Sequence, residues 1–167
     1  VALNVTSGSV RVAGLSVTSM TSDLTSGTMT IDHVQIAEQL GLMVKSGRVR
    51  LTAVTAASYV ASAASGSITG QQLRGGGRWA AKSGSIKLAF AAVTGDTDLI
   101  ANSGAIKVVM PVSASYRYEL ESQSGRVVAP RNARVDRQAD GYQTGQVGAT
   151  GTYLIHGRAR SGNIHLR

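Results

Sequence analysis

The chain contains no cysteine in its 167 residues. That excludes a disulfide framework, a thiolate metal site and a cysteine nucleophile, and it leaves the redox compartment open. Proline occurs twice, tryptophan and phenylalanine once each, and aromatics amount to 4%, so the core cannot be built from large rings. No apolar run approaches the roughly 18 residues of a membrane-spanning helix. No charged-then-apolar leader opens the chain, and its start at Val1 suggests that residues upstream of it are missing. Acidic residues are also scarce. Nine Asp and Glu stand against 17 Lys and Arg, a formal charge of +8 and a pI near 10.5. Disorder is excluded by a hydrophobic content of 43%.

What the chain has in abundance is glycine and a repeat. Ser-Gly recurs at Ser7-Gly8, Ser26-Gly27, Ser46-Gly47, Ser65-Gly66, Ser83-Gly84, Ser103-Gly104, Ser124-Gly125 and Ser161-Gly162. Successive spacings are 19, 20, 19, 18, 20, 21 and 37 residues. The second residue after each glycine is Val10, Met29, Val49, Ile68, Ile86, Ile106, Val127 or Ile164. The fourth is Val12, Ile31, Leu51, Gly70, Leu88, Val108, Ala129 or Leu166, with mostly polar residues between. Alternation with period two marks a half-buried strand.

Each copy therefore reads as strand, corner, strand and return segment. Glycine suits a corner of positive φ, and the serine hydroxyl can close the corner on neighbouring backbone. A unit of this size cannot bury its own apolar face, so copies must stack. The expected fold is all-β: a single-domain parallel β-helix over residues 1–167, with about eight rungs of roughly 19 residues, spaced by roughly 4.8 Å. A rival helix at Val34 to Val44 has suitable residues, but it fills one rung length and Gly41 interrupts it.

The repeat loosens after Gly125. Residues 129–150 carry Pro130, several turn residues and the basic series Arg131, Arg134 and Arg137, and read as an irregular basic loop before a strand over Thr152 to Arg160. Three glycines at Gly75 to Gly77 suit a flexible corner. Both ends read as uncapped strand edges, which offers edge-to-edge self-association.

The steps Lys82-Ser83-Gly84-Ser85-Ile86-Lys87-Leu88 and Arg160-Ser161-Gly162-Asn163-Ile164-His165-Leu166 resemble those of the bacterial adhesin-like β-helix family called toastrack domains. So does the segment from Met110-Pro111-Val112 through Tyr116 to Ser124-Gly125. The resemblance covers nearly the whole chain. It implies a right-handed β-helix, a hand that also agrees with the general bias of crossovers. It further implies bacterial origin, a cell-envelope or cytoplasmic setting and a scaffold role, and it brings no catalytic residues. Family members often place Asp directly after the glycine. Here that position holds Ser9, Thr28, Arg48, Ser67, Ser85, Ala105, Arg126 and Asn163, which argues against calcium.

The same alignment exposes a charge pattern. The residue before each serine and the first and third after each glycine should face outward. Nine of these 24 positions are basic: Arg11, Lys45, Arg48, Arg50, Lys82, Lys87, Lys107, Arg126 and Arg160. None is acidic, and two or three basic residues would be expected from 17 in 167. The functional reading is a strip for a polyanion, whether acidic glycan, teichoic acid, anionic lipid or nucleic acid. The plain reading is solubility, since Lys and Arg discourage edge aggregation. Interleaved aromatics, which would favour single-stranded nucleic acid, are missing from it.

Enzymatic chemistry finds little support. Asp96 with Asp98, and Glu119 with Glu121, could present paired carboxylates on one strand face, but each pair also fits a solvated turn or edge. His33, His156 and His165 lack metal-ligand spacing. No Gly-x-Ser-x-Gly elbow and no phosphate loop occurs. The expectation is a non-catalytic, adhesin-like scaffold or interaction module without cofactor or metal. A self-assembling solenoid subunit is the alternative, and a carbohydrate-active β-helix enzyme ranks third.

Overall fold

The computed structural model describes residues 1–167 without a break. Its 18 strands form one continuous sheet wound into a β-solenoid, and there is no helix. No helix is therefore long and apolar enough to cross a membrane. The segment from Val34 to Val44, where helix was the rival, is the strand Gln35–Val44. A register shift between Ile36 and Gln39 absorbs Ala37 and Glu38, so Leu40, Leu42 and Val44 all point inward.

Three walls follow from the repeat. The first carries the residues before each Ser-Gly, where Val5, Leu24, Val44, Ala63, Ala81 and Ala101 lie side by side. The second carries those after it, and Val10, Met29, Val49, Ile68, Ile86 and Ile106 form its inward ladder. A short third wall carries two inward rows, Val17, Ile36 and Ala56 in one and Val34, Val54, Leu73 and Phe90 in the other. Because only five copies contribute to that wall, the solenoid has about five complete turns rather than eight rungs, although all eight corners stack. After Val109 the chain leaves through Pro111 instead of building a third wall.

The glycine reasoning needs one correction. Only Gly8 and Gly27 among the corner glycines have positive φ. The others are required by close approach. A Cβ on Gly66, Gly84, Gly104 or Gly162 would overlap the carbonyl oxygen of the glycine one turn before it. Those oxygens accept from the residue after the next glycine, as in Ser67 N to Gly47 O at 3.0 Å and Ser85 N to Gly66 O at 3.1 Å. Gly75 and Gly77 likewise press on the backbone of Ala56 and Tyr59 and do not form a flexible corner. Left-handed backbone instead collects at the second corner, where Gly14, His33, Ala53 and Gln72 have φ of 63°, 51°, 51° and 54°. Each lies six residues after a corner glycine.

The interior is one cluster of 37 buried apolar residues. Gly70 breaks the second-wall ladder because Leu73 fills its place: a Cβ there would lie 2.5 Å from Leu73 Cδ1. Tyr59 and Trp79 occupy the middle, both fully buried. The Tyr59 hydroxyl donates towards Val54 O at 2.8 Å and Arg74 O at 3.2 Å.

The last two copies exchange places. Thr97–Ala101 pairs with Tyr153–Ala159, and Ala105–Val109 with Asn163–Leu166. Tyr116–Ser122 and Arg126–Val128 stack on the far side of those inserted strands. The expected open rung at Leu166 is thus an interior one. The expected irregular loop at 129–150 is also corrected. Arg134–Ala139 and Tyr142–Val147 form an antiparallel hairpin, turned at Asp140-Gly141, that lies against Tyr116–Ser122. Its outer strand is exposed along its length and carries Arg134, Asp136 and Arg137, charges that blunt an edge.

Candidate functional site

The stacked corners bring the sequence-predicted basic residues onto two adjoining wall edges. All nine are exposed. The register orders one outward column as Arg11, Thr30, Arg50, Thr69, Lys87, Lys107, His165 and Val128. Beside it run Ser9, Thr28, Arg48, Ser67, Ser85, Ala105, Asn163 and Arg126, from the same pairings. Across the corner, serine amides bonding to the preceding turn order a third column: Thr6, Thr25, Lys45, Ala64, Lys82, Asn102, Arg160 and Gln123.

Only Arg11 of the nine has an acidic partner, Asp32, at 3.2 Å. Between the columns runs a shallow polar trough of about 690 Å³, floored by Gly47, Gly66, Gly84 and Gly104. The serine hydroxyls do less for the corners than their position suggested. Ser26 Oγ donates to Thr6 O at 3.1 Å, and it alone among the eight corner hydroxyls makes a hydrogen bond. Those of Ser46, Ser65, Ser83 and Ser103 line the trough.

Asp96 and Asp98 serve the inserted strand, and Glu119 the hairpin. Asp96 Oδ1 accepts from Leu154 N at 2.8 Å, and Asp98 Oδ1 lies 3.2 Å from His156 Nδ1. Arg158 Nε donates to His156 Nε2 at 3.2 Å. Glu119 accepts from the Tyr142 hydroxyl at 3.0 Å, a bond that raises the phenol pKa. The contacts of Asp96 and Asp98 span 58 positions, so no local spacing announces them. His33 lies beside Asp32 at 2.8 Å, and His165 sits in the basic column. No group of three or more His, Asp or Glu is placed to hold a metal ion.

The model of Toastrack DUF4097 matches residues 1–167, the whole chain. The chain belongs to that family. No curated protein and no solved structure matches it. In this toastrack domain the repeated motif supplies core ladders and corners, while the basic columns occupy the outward positions that folding leaves free.

Proposed function

We propose that this toastrack domain is a non-catalytic interaction scaffold that binds a polyanion along the basic corner. One observation carries the reading: nine exposed cations border a single corner, and eight of them lack an acidic partner. Such a surface holds a positive potential that attracts and orients a negatively charged polymer. Stacking on bases is not available to it, because no aromatic side chain lines the corner trough. The test is the triple variant Lys45→Glu, Arg48→Glu, Arg50→Glu, titrated against a labelled polyanion at two salt concentrations. Wild-type affinity is expected to fall with salt. The variant is expected to lose binding while keeping its melting temperature. Unchanged binding in the variant would refute the basic corner as the site.

A second reading rests on the first turn. Ala2–Val5 and Ser9–Ala13 each have one parallel neighbour, and Leu3, Val10 and Val12 beneath them are only half-buried. Such an edge would accept another parallel strand, as in a self-assembling subunit. Light scattering behind a sizing column tests this: regular assemblies support it, and a monomer at every concentration opposes it.

A further inference from the structure

The spacing of the cations along the corner is informative about the ligand. Counting turns in space, Arg11 lies on the first, Lys45, Arg48 and Arg50 on the third, Lys82 and Lys87 on the fifth, and Arg160 on the seventh. The second and fourth turns contribute Thr25, Thr28, Thr30, Ala64, Ser67 and Thr69 to the same positions, without a charge. Lys107 and Arg126 are the two exceptions. The strand exchange is part of the pattern. Arg160 belongs to the last copy in the chain, yet insertion places it two turns beyond Lys82 rather than three.

Avoiding like-charge neighbours does not by itself account for this. An acidic residue on the intervening turn would relieve the repulsion and add attraction. Within the three columns the second and fourth turns hold neutral hydroxyl or methyl side chains instead; Asp32, which pairs with Arg11, lies outside the columns, and the sixth turn carries Lys107. What results is a track of cations two strand spacings apart, roughly 9.5 Å. Uncharged, unbonded serine hydroxyls repeat at every single spacing between them.

We propose that the polyanion is a linear acidic glycan with one charge on every second sugar, laid lengthwise along the Ser-Gly corner. This rests on the polyanion reading above and narrows it. An extended, equatorially linked sugar advances by about one strand spacing per ring, so each ring meets one turn. Lys45, Lys82 and Arg160 on one side, and Arg50 and Lys87 on the other, then meet the charged rings. Ser46, Ser65, Ser83 and Ser103 meet ring hydroxyls. Charge and hydrogen bonding would hold the chain, since no aromatic side chain lines the trough. A polyphosphate or a nucleic acid carries charge more densely and would leave anions over the neutral turns.

The experiment compares four length-matched probes at one salt concentration: hyaluronan, charged on alternate sugars; β-1,4-linked polyglucuronate, equatorially linked and charged on every sugar; oligothymidylate; and inorganic polyphosphate. Hyaluronan is expected to bind at least about tenfold more tightly than the others, a difference of about 1.4 kcal/mol. Filling the neutral turns with Thr30→Lys, Ala64→Lys and Thr69→Lys is expected to move the preference to polyglucuronate. Equal or reversed preference in the wild type, with binding still lost in the glutamate triple variant, overturns the spacing argument and leaves the polyanion reading intact. Tightest binding to polyphosphate or oligothymidylate overturns the glycan. Binding to none of the four overturns both readings.

Discussion

The ring of Tyr59 stacks on that of Trp79 from the next turn, with centroids 5.0 Å apart and planes inclined by 30°. The stack fills the centre of the solenoid, and the Tyr59 hydroxyl bridges to the backbone carbonyls of Val54 and Arg74, just past the second corner. Tyr118 is as deeply buried, but its hydroxyl has no partner. Opposite outcomes follow for the same exchange. Tyr59→Phe is expected to cost about 1–2 kcal/mol because two carbonyl contacts are lost. Tyr118→Phe is expected to leave stability unchanged or slightly higher. Urea midpoints at constant m-value measure both.

The corner glycines allow a second contrast. A methyl at Gly84 would overlap Gly66 O, whereas one at Gly41 would meet the Thr21 side chain at an ordinary 3.6 Å. Gly84→Ala is expected to destabilise by about 3 kcal/mol, since adjacent turns must separate. Gly41→Ala is expected to stabilise by about 0.4–1 kcal/mol by restricting the unfolded chain. Thermal melts of the two variants decide the matter, and equal effects would contradict close approach as the reason for the repeat.

At the second corner the sign reverses. Ala53 holds a left-handed backbone at φ 51°, which costs an L-residue roughly 1–2 kcal/mol. Ala53→Gly is expected to raise stability by up to about 1 kcal/mol, after the larger chain entropy of glycine is subtracted. Chemical denaturation would show a higher midpoint.

Burial pushes Tyr116 up to about 12, and raises Tyr59 and Tyr118 as well. A phenol whose folded pKa lies above its unfolded value, about 10, keeps its proton in the fold after the unfolded chain has lost it. Stability from these tyrosines is therefore complete below pH 10 and declines as the pH rises from about 10 towards 12. Tyr116→Phe is expected to flatten that alkaline decline, as read by melting temperature against pH.

Much of this architecture was legible in the sequence because stacking repeats the same demand at every turn. Val49, Ile68 and Ile86 face inward for one reason, and their spacing shows it. The basic columns were legible too, since outward positions follow from inward ones. The second corner was not, because His33, Ala53 and Gln72 share no residue type with Gly14. The terminal hairpin did leave a signal: Asp140-Gly141 between alternating segments is the turn that antiparallel pairs favour. It was obscured by the surrounding arginines. The exchange of the last two copies has no local signature, because a parallel strand selects its neighbour through packing of the whole stack. With it went the alternate-turn placement of Arg160, which chain order alone would misplace by one turn.

That exchange also bears on how the domain comes into being. A simple solenoid can grow outward from its first turns as each new segment leaves the ribosome. Here the strands Tyr116–Ser122 and Arg126–Val128 emerge before the ones that separate them from the body. Until residues 153–166 arrive, Thr97–Ala101 and Ala105–Val109 have no partner on that side. The final segment thus acts as a keystone: a nascent chain short of it holds an open seam in its middle rather than a missing end.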